Sequence, residues 1–460
     1  MKRVLIISYY WPPSGGSGVQ RWVKFSRYLP DHDWQPVICT PENPELIARD
    51  TTLEAEIPAC VEVLRRPIFE PYNLYRKLTG KGKDNGQDKG TGTGKEEVNP
   101  INAQHKSFGQ KLSMFVRGNF FIPDPRCMWI RPTSKWLVRY LKEHPVDVVV
   151  STGPPHSMHL IARRVAKKTG LPWIADFRDP WTRMFYFKHL NLSAWAEKKH
   201  HRLEQRVLNE ATLVVAVSPL VQQEFRQMTL TPVELITNGY DEEDFKKARK
   251  ALSDKKLQAN GDRQGKTGNE KFRITHTGLF AADGNPETLW KVLAERCKKD
   301  PDFAAALEIR LVGKTDREIL QSLEEAGLKD KTINLGYCDH QTAVEEQLSA
   351  SLLILPLRKE PEYKATLPGK LFEYLASGRP VLGIGQKDGA MAQILRETAT
   401  GETWDWDEEE QLRTAVIQRW EAHKAGEKDI GAQGIEKYSR RATAAQMARL
   451  LDIMAQKEQK

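Results

Sequence analysis

The stretch VDVVVSTG, residues 146–153, is a run of mostly apolar, β-branched residues that ends in a glycine. A helical pattern follows at His156–Lys168, and a second apolar run follows at Trp173–Asp176. Strands that are apolar along their whole length are typical of parallel sheets, because helices cover both faces of such a sheet. The order strand, helix, strand therefore predicts a βαβ unit in a doubly wound α/β sheet.

The same alternation continues in both directions along the chain. It predicts two Rossmann-like domains that face a central cleft, over residues 1–245 and 271–434. Residues 246–270 have almost no apolar side chain and predict a linker or surface loop. Glycines among Lys and Asp at about 79–100 predict a flexible insertion. The apolar spacing of residues 435–460 predicts a terminal amphipathic helix that packs on a domain.

Composition restricts the class of protein. The 460 residues are enough for two or three domains, and 40% hydrophobic residues exclude wholesale disorder. The formal net charge of +9 favours anionic partners, either phosphorylated small molecules, acidic lipid or nucleic acid. Five cysteines without a CxxC pair argue against a zinc cluster or a disulfide framework. The apolar start is too short for a signal peptide or membrane span, so we expect a cytoplasmic protein.

Two glycine-containing turns are candidate anion sites, and the first is SYYWPPSGGSGVQRW, residues 8–22. Gly15, Gly16 and Gly18 permit close backbone approach before a helix whose free N–H groups suit a phosphate or carboxylate. A tight turn without a ligand is the alternative. The spacing is not GxGxxG and no acidic residue follows the second strand, so a nicotinamide-dependent dehydrogenase is disfavoured.

The second turn is TLPGKLFEYLASGRPVLGIG, residues 366–385. Pro368 suits the first turn of a helix, so the N–H groups of residues 369–371 would be free to bind an anion. Lys370 adds a full positive charge, and Glu373 can accept two hydrogen bonds from a ribose. A surface helix with a solvated glutamate is the alternative, which the apolar neighbours of Glu373 disfavour. The turn therefore predicts a nucleoside diphosphate site.

Seven segments spread over nearly the whole chain occur in the order that they have in one enzyme family. They are WPPSGGSGVQR (11–21), DFRDPW (176–181), AVSPL (216–220), ITNGYD (236–241), THTG (275–278), INLGY (333–337) and PGKLFEYLASGRPVL (368–382). On these segments the chain resembles the family 4 glycosyltransferases, which have the two-domain GT-B fold.

The resemblance implies transfer of a sugar from a nucleoside diphosphate sugar, with retention of anomeric configuration and no required metal. The nucleotide sugar, a UDP-sugar rather than a GDP-sugar, is the expected co-substrate, and no cofactor is expected. The nucleotide would bind the C-terminal domain and a saccharide or lipid-linked acceptor the N-terminal domain, to which the C-terminal helix would return. Asp405 and Asp407 superficially match a DxD metal motif, but the sequence predicts no strand before them, and we assign them to helix capping.

The motifs and the resemblance together give three groups of expected site residues. The catalytic residues are His156, Arg358 and Lys370. The nucleotide- and donor-binding residues are Gly16, Gly278, Tyr337, Thr366, Gly369, Lys370, Leu371 and Glu373. The acceptor-side residues are Gly15, Gly18, Asp176 and Arg178. A histidine that bonds locally at a helix start is the alternative for His156, and a structural ion pair is the alternative for Asp176 and Arg178.

The chain departs from the family pattern at two places. Ala365 stands where the family has the first glutamate of its E-x7-E motif, of which Glu373 is the second. Leu279 and Gly284 stand where a basic pair is usual. The diphosphate would then rely on cations elsewhere, of which Arg358, Lys359, Lys364 and Lys370 are available. These departures leave a nucleotide-sugar epimerase and a non-catalytic nucleotide-sugar-binding partner subunit as alternatives.

Basic and aromatic residues alternate over residues 106–139. This pattern predicts peripheral contact with an anionic membrane, at its inner face, or with a lipid diphosphate acceptor. A core-packed helix with a solvated basic face is the alternative. Nucleic acid is not expected, because no recognised binding motif accompanies the charge.

Overall fold

We describe the protein from a computed structural model, in which the described residues are 1–44, 52–69, 115–116, 118–261, 271–427 and 429–457. The predicted flexible insertion at 79–100 lies outside these residues, as do residues 262–270 of the predicted linker and residues 106–114 of the predicted membrane segment. The chain divides into two compact units. The first comprises residues 1–217, 221–236 and 444–460, and the second comprises residues 218–220 and 237–443.

The described part of the first unit contains a seven-stranded parallel sheet with the order β3-β2-β1-β4-β5-β6-β7. The strands are β1 Lys2–Ile7, β2 Trp34–Pro41, β3 Glu62–Arg66, β4 Val148–Gly153, β5 Trp173–Phe177, β6 Leu213–Ala216 and β7 Val233–Leu235. The helices up to β7 are α1 Ser17–Tyr28, α2 Ile130–Glu143, α3 Ser157–Thr169, α4 Ala194–Glu210 and α5 Pro219–Met228, which starts in the second unit. The order reverses at β1, where α/β sheets commonly bind ligands.

The second unit contains, within its described residues, a six-stranded parallel sheet with the order β10-β9-β8-β11-β12-β13. The strands are β8 Phe272–Thr277, β9 Leu307–Val312, β10 Thr332–Gly336, β11 Leu352–Pro356, β12 Val381–Ile384 and β13 Gly401–Trp404. The helices are α6 Glu242–Gly261, α7 Glu287–Lys299, α8 Pro301–Ala306, α9 Arg317–Glu325, α10 His340–Leu348, α11 Gly369–Ser377, α12 Ala390–Glu397 and α13 Glu409–Lys424. Two parallel sheets with interleaved helices confirm the predicted fold class.

Helix α6 occupies part of the segment that was predicted to be a linker at 246–270. The prediction was wrong for residues 246–261 because the few apolar side chains lie at helical spacing. Phe245 and Ala248 are buried and Leu252 is half-buried, all against the core beneath α10. Lys255 also pairs with Glu345 of α10 at 2.5 Å. A short apolar stripe therefore suffices to dock a mostly charged helix.

The C-terminal helix α14, Arg440–Lys457, packs into the first unit from Ala444 onward. Its buried face consists of Ala444, Met447, Ala448, Leu451 and Met454, which share a core cluster with Trp22 of α1. The indole Nε1 of Trp34 donates to Asp452 Oδ1 at 3.0 Å. The helix therefore belongs to the core of the first unit, as the resemblance implies. None of the described helices is both long and apolar enough to span a membrane.

Substitution of Leu451 tests whether α14 is part of that core. Leu451 is fully buried, so Leu451→Ala should lower the free energy of unfolding by about 2–5 kcal/mol through lost burial and a residual cavity. Ile453→Ala removes a similar side chain that is half-exposed and should change stability much less. Urea unfolding of both variants measures the difference, and equal effects would contradict the packing of α14.

Candidate functional site

The first turn of α11 offers unpaired backbone donors. Pro368 precedes the helix in an extended conformation, and the N–H of Leu371 donates to Pro368 O at 3.0 Å. Leu371 therefore does not offer the free N–H that the sequence predicted. The N–H groups of Gly369 and Lys370 have no acceptor within an α-helix that starts at Gly369. A Cβ atom added at Gly369 would meet nothing within 4 Å, so this backbone borders open space.

Lys370 carries its ammonium from this turn to the end of β8. Its Nζ lies 2.8 Å from His276 Nε2 and donates to Leu279 O at 3.2 Å. In the described part of the chain, no carboxylate lies within ion-pair distance of Lys370. Burial lowers the pKa of Lys370 to about 7, although the charge of Glu373 opposes this shift. Below about pH 7 the site thus holds a cation without a matched anion.

His276 is the residue that receives this ammonium, and the sequence analysis did not single it out. Its ring is buried and stacks on Phe280 with 4.1 Å between ring centroids. Burial, with a smaller contribution from the charge of Lys370, holds the pKa of His276 well below its usual value. The imidazole is therefore neutral and accepts a hydrogen bond from Lys370 at Nε2. The motif THTG contains this histidine, but its long-range partner is not visible in the sequence.

Glu373 lies one turn further along α11 and is half-buried. Its Oε2 accepts a hydrogen bond from Gln347 Nε2 of α10 at 2.9 Å. The same Nε2 donates to Thr277 Oγ1 at 3.1 Å. The last two residues of β8, His276 and Thr277, are thus linked to Lys370 directly and to Glu373 through Gln347.

The carboxyl ends of β8, β9 and β10 meet through glycines next to this turn. The N–H of Gly278 donates to Val312 O and that of Gly313 donates to Gly336 O, both at 2.7 Å. A Cβ atom on Gly313, where φ is +117°, would lie 2.5 Å from Gly278 O. A Cβ atom on Gly278 would lie 3.6 Å from Lys370 Nζ. Tyr337 follows this edge and is 90% exposed.

Two of the other predicted cations of the second unit form ion pairs with carboxylates. Arg358 Nη1 pairs with Asp283 Oδ2 at 2.6 Å, so a carboxylate already balances its charge. The catalytic role of Arg358 stays a prediction. Lys364 pairs with Asp388, whereas Lys359 is exposed. The N–H of Thr366, a predicted donor-binding residue, donates to Tyr363 O at 3.0 Å and is therefore not free to bind the donor.

Close packing explains why residue 284 is a glycine. A Cβ atom added to Gly284 would lie 3.1 Å from Leu357 O, at the end of β11. A basic side chain at this position would have to push the loop from the strand end. The departure from the family pattern is therefore built into the packing of this loop.

His156 of the first unit is buried at the start of α3. Its ring stacks on Trp181 with 4.5 Å between centroids and 1° between planes. Among the described residues, neither ring nitrogen has a hydrogen-bond partner. Burial, and secondarily the neighbouring His159, lowers the pKa of His156 well below its usual value. The ring is neutral, and the predicted alternative of local hydrogen bonding does not describe it.

Asp176 is fully buried, and its oxygens are used inside the unit. Arg21 Nη2 donates to Oδ1 at 2.9 Å, and Trp22 Nε1 donates to Oδ2 at 2.8 Å. Burial acts to raise the pKa of Asp176, but the charge and hydrogen bonds of Arg21 outweigh it and lower the pKa. The prediction of an acceptor-binding role for Asp176 is therefore corrected to a structural ion pair. Arg21, which the sequence analysis did not select, is its partner.

Arg178 braces the glycine turn before α1. Its Nη1 donates to Gly18 O at 2.9 Å, and its Nη2 donates to Pro154 O. A Cβ atom on Gly18 would lie 2.6 Å from Arg178 Nη1, so the glycine makes room for this arginine. Gly16 has φ +100°, a conformation that favours glycine, and Gly15 beside it is half-buried. Gly18 and Arg178 thus make a structural contact with each other, and their acceptor-side roles stay predictions.

Comparison with known proteins decides the family. The sequence profile described as Glycosyltransferase Family 4 matches residues 107–244, and that described as Glycosyl transferases group 1 matches residues 271–421. The chain belongs to the family 4 glycosyltransferases. No curated protein matches the sequence significantly.

Solved structures show the same fold for this glycosyltransferase. Sucrose-phosphate synthase from Thermosynechococcus elongatus is similar with a TM-score of 0.60 at 15% identity, over 99% of each chain. WaaG, a glycosyltransferase involved in lipopolysaccharide biosynthesis, has a TM-score of 0.52 at 14% identity, over 99% of this chain and 98% of its own. TarM from S. aureus has a TM-score of 0.56 at 11% identity, over 98% of this chain and all of its own. The protein is therefore a glycosyltransferase with the two-domain GT-B fold.

Within the described residues, no group of three His, Cys, Asp or Glu side chains is arranged to hold a metal ion. The positive charge of the candidate site in the second unit comes instead from Lys370 and from the N-terminal end of α11. Together with Glu373 they form the candidate functional site.

The pH dependence of stability tests the environment of Lys370. The folded protein holds the pKa of Lys370 at about 7, whereas the unfolded chain keeps the ordinary value of 10.5. Between these values the unfolded state binds more protons, so the free energy of unfolding rises with pH. We expect the wild type to gain stability relative to Lys370→Met between pH 7 and pH 9, as measured by urea unfolding. Lys364→Met removes an exposed lysine as a control, and a Lys370→Met difference that is independent of pH would contradict the burial of this ammonium.

Proposed function

We propose that this glycosyltransferase moves a sugar from a UDP-sugar to a glycan or lipid-linked acceptor, with retention of configuration and without a metal. The observation that carries the proposal is the composition of residues 369–373. This short helical segment combines free N–H groups, an ammonium that pairs with no carboxylate of the described residues, and a carboxylate. A diphosphate needs the first two, and a ribose needs the third.

Lys370 would act on the leaving group. When the bond between the anomeric carbon and the diphosphate breaks, the electron pair goes to the departing diphosphate oxygen, and the sugar takes on oxocarbenium character. The ammonium of Lys370 and the N–H groups of Gly369 and Lys370 are fixed before the reaction, which is the condition for effective electrostatic stabilisation. A diphosphate close to Lys370 would also raise its pKa and keep it charged. His276 accepts from the ammonium without neutralising it.

The nucleoside would lie along the neighbouring edge. Glu373 Oε2 is held by Gln347, and the carboxylate as a whole can accept from ribose hydroxyls. The exposed ring of Tyr337 is available to stack on a base. TarM, which shares the fold, was crystallised with UDP, and another structural neighbour is described as a UDP-forming trehalose-phosphate synthase from Burkholderia xenovorans. These neighbours favour uridine over guanosine as the base.

Retention and metal independence have different support. Retention is proposed from the resemblance to family 4. Metal independence is proposed because Lys370 and the start of α11 supply the positive charge that a divalent cation would otherwise bring to the diphosphate. In the first unit, neither ring nitrogen of His156 has a hydrogen-bond partner among the described residues, and we propose a hydroxyl of the donor sugar as one partner.

Two exposed aromatic rings of the first unit support peripheral contact with a membrane that carries a lipid-linked acceptor. Phe120 is 71% exposed and Trp195 is 64% exposed. The segments that carry them are joined, since Asn119 Oδ1 accepts a hydrogen bond from Ser193 N at 2.7 Å. Lys199 places its ammonium 4.5 Å from the centre of the Trp195 ring. Exposed aromatics beside a cation suit an anionic interface.

Two tryptophans of the predicted membrane segment at 106–139, Trp129 and Trp136, are not available for this contact. Trp129 is buried and its Nε1 donates to Pro67 O at 3.0 Å. Trp136 is half-buried beneath the guanidinium of Arg66. The alternative of a core-packed helix therefore describes α2, and the membrane proposal is restricted to Phe120 and Trp195.

Sugar transfer tests the proposal for the donor site. We assay the wild type with a panel of UDP-sugars and GDP-sugars and a saccharide acceptor, and we expect it to release UDP from one of them. EDTA should leave the activity unchanged. NMR of the product should show the anomeric configuration of the donor. Lys370→Met should lower kcat/KM by about a hundredfold or more, because it removes leaving-group stabilisation. Lys364→Met, whose surface pair is worth little, should stay within about twofold. Equal activity of the two variants would remove Lys370 from the reaction, and sugar interconversion without acceptor would favour an epimerase.

Vesicle sedimentation tests the membrane contact. We expect the wild type to co-sediment with vesicles containing phosphatidylglycerol more than with phosphatidylcholine vesicles, and less so at high salt. Phe120→Ser combined with Trp195→Ser should reduce the bound fraction several-fold. Leu230→Ser removes a fully exposed apolar side chain elsewhere in the first unit and should have no effect. If all three proteins bind equally, these rings do not contact the membrane.

A further inference from the structure

Gln347 of α10 is a fully buried amide that reaches the carboxylate proposed to hold the ribose. We infer that Gln347 is a positioning residue, which orients Glu373 toward the ribose hydroxyls and thereby sets the preference of the site for a ribonucleotide. This inference rests on the proposed donor site. It adds a residue that belongs to none of the sequence motifs.

The hydrogen bonds of Gln347 fix which way its amide faces. Nε2 donates to Glu373 Oε2 at 2.9 Å and to Thr277 Oγ1 at 3.1 Å. Both partners accept, so a flipped amide would place its carbonyl oxygen against the Glu373 carboxylate. The two protons of the amide are therefore used, and the carboxylate receives a donor from one defined direction.

Thr277 is itself anchored to the helix that carries Glu373. Its N–H donates to the hydroxyl of Tyr374 at 2.8 Å, and its Oγ1 lies 3.3 Å from the same oxygen. Tyr374 is buried and directly follows Glu373 on α11. A closed network thus links the end of β8, α10 and α11. Gln347 is the member of this network that touches the carboxylate.

Glu373 binds a ribose more tightly when its side chain is fixed in one rotamer before the nucleotide arrives. A glutamate that samples several rotamers must lose this freedom when it binds two vicinal hydroxyls, and that loss weakens binding. Gln347 restrains Oε2 before the nucleotide arrives. In the described part of the chain, Oε1 of Gln347 is buried without a hydrogen-bond partner. An amide that serves only to fill the core would be replaced at no loss by an apolar side chain of the same length.

Replacing the amide of Gln347 distinguishes a positioning role from a packing role, because only the positioning role depends on its hydrogen bond to Glu373. Gln347→Met keeps the length and volume of the side chain and removes only the donor. Binding of UDP and of 2′,3′-dideoxy-UDP is measured by calorimetry on the full chain. The ratio of the two dissociation constants reports the ribose hydroxyls alone. Gln341→Met on the same helix is the matched control, since Gln341 is half-buried and bonds only weakly to Glu345.

We expect the wild type and Gln341→Met to bind UDP about tenfold or more tightly than the dideoxy nucleotide, as hydrogen bonds to a charged group suggest. Glu373→Ala should abolish the preference. Gln347→Met should lose about fivefold to tenfold in affinity for UDP and keep its affinity for the dideoxy nucleotide. The unchanged affinity for the dideoxy nucleotide also shows that the variant is folded. If Gln347→Met does not fold, Gln347→Asn serves instead, because its amide is one methylene too short to reach Glu373.

Two results would overturn the inference: an unchanged preference in Gln347→Met, or an equal loss for both nucleotides in a folded variant. Either result leaves the proposed function intact as long as Glu373→Ala loses the preference. If the wild type itself shows no preference, or binds neither nucleotide, the proposed donor site fails and the inference fails with it.

Discussion

The ammonium of Lys370 lies against the neutral imidazole of His276, and the proposed donor site depends on this contact. It fixes the first turn of α11 to the end of β8 without neutralising the charge that a diphosphate requires. An ion pair would hold the lysine equally well, but it would cancel its field. A buried histidine that stacks on Phe280 cannot take up the proton instead, because its own charged form is disfavoured by burial.

Thr277, the residue after His276 in β8, supports the carboxylate of the proposed donor site. Thr277 holds Gln347, which holds Glu373, so one strand end supports both the cation and the carboxylate. The glycines at the ends of β8 and β9 let these segments approach closely, and the start of α11 borders open space at Gly369. The first unit shows a different use of polar residues. Its buried pair of Arg21 and Asp176 ties α1 to β5, and removal of one partner would leave an uncompensated charge in the core.

The sequence was sufficient to predict what depends on local pattern. Alternating apolar runs and helical segments predicted two parallel sheets, and Pro368 predicted the start of α11 with Lys370 and Glu373 on it. The failures involve contacts between residues far apart in the chain. His276 and Gln347 carry no pattern that reveals their partners 94 and 26 residues away. The sequence predicts an acceptor-side role for Asp176 because it does not show that Arg21, on another element, forms an ion pair with it. The short apolar stripe of α6 was hidden among charged residues.

A crystal structure of the protein with UDP would test the central claim most directly. The account predicts that the diphosphate oxygens accept hydrogen bonds from the N–H groups of Gly369 and Lys370 and from Lys370 Nζ, with the ribose hydroxyls on Glu373. Nucleotide density at another surface, with the start of α11 untouched, would contradict it.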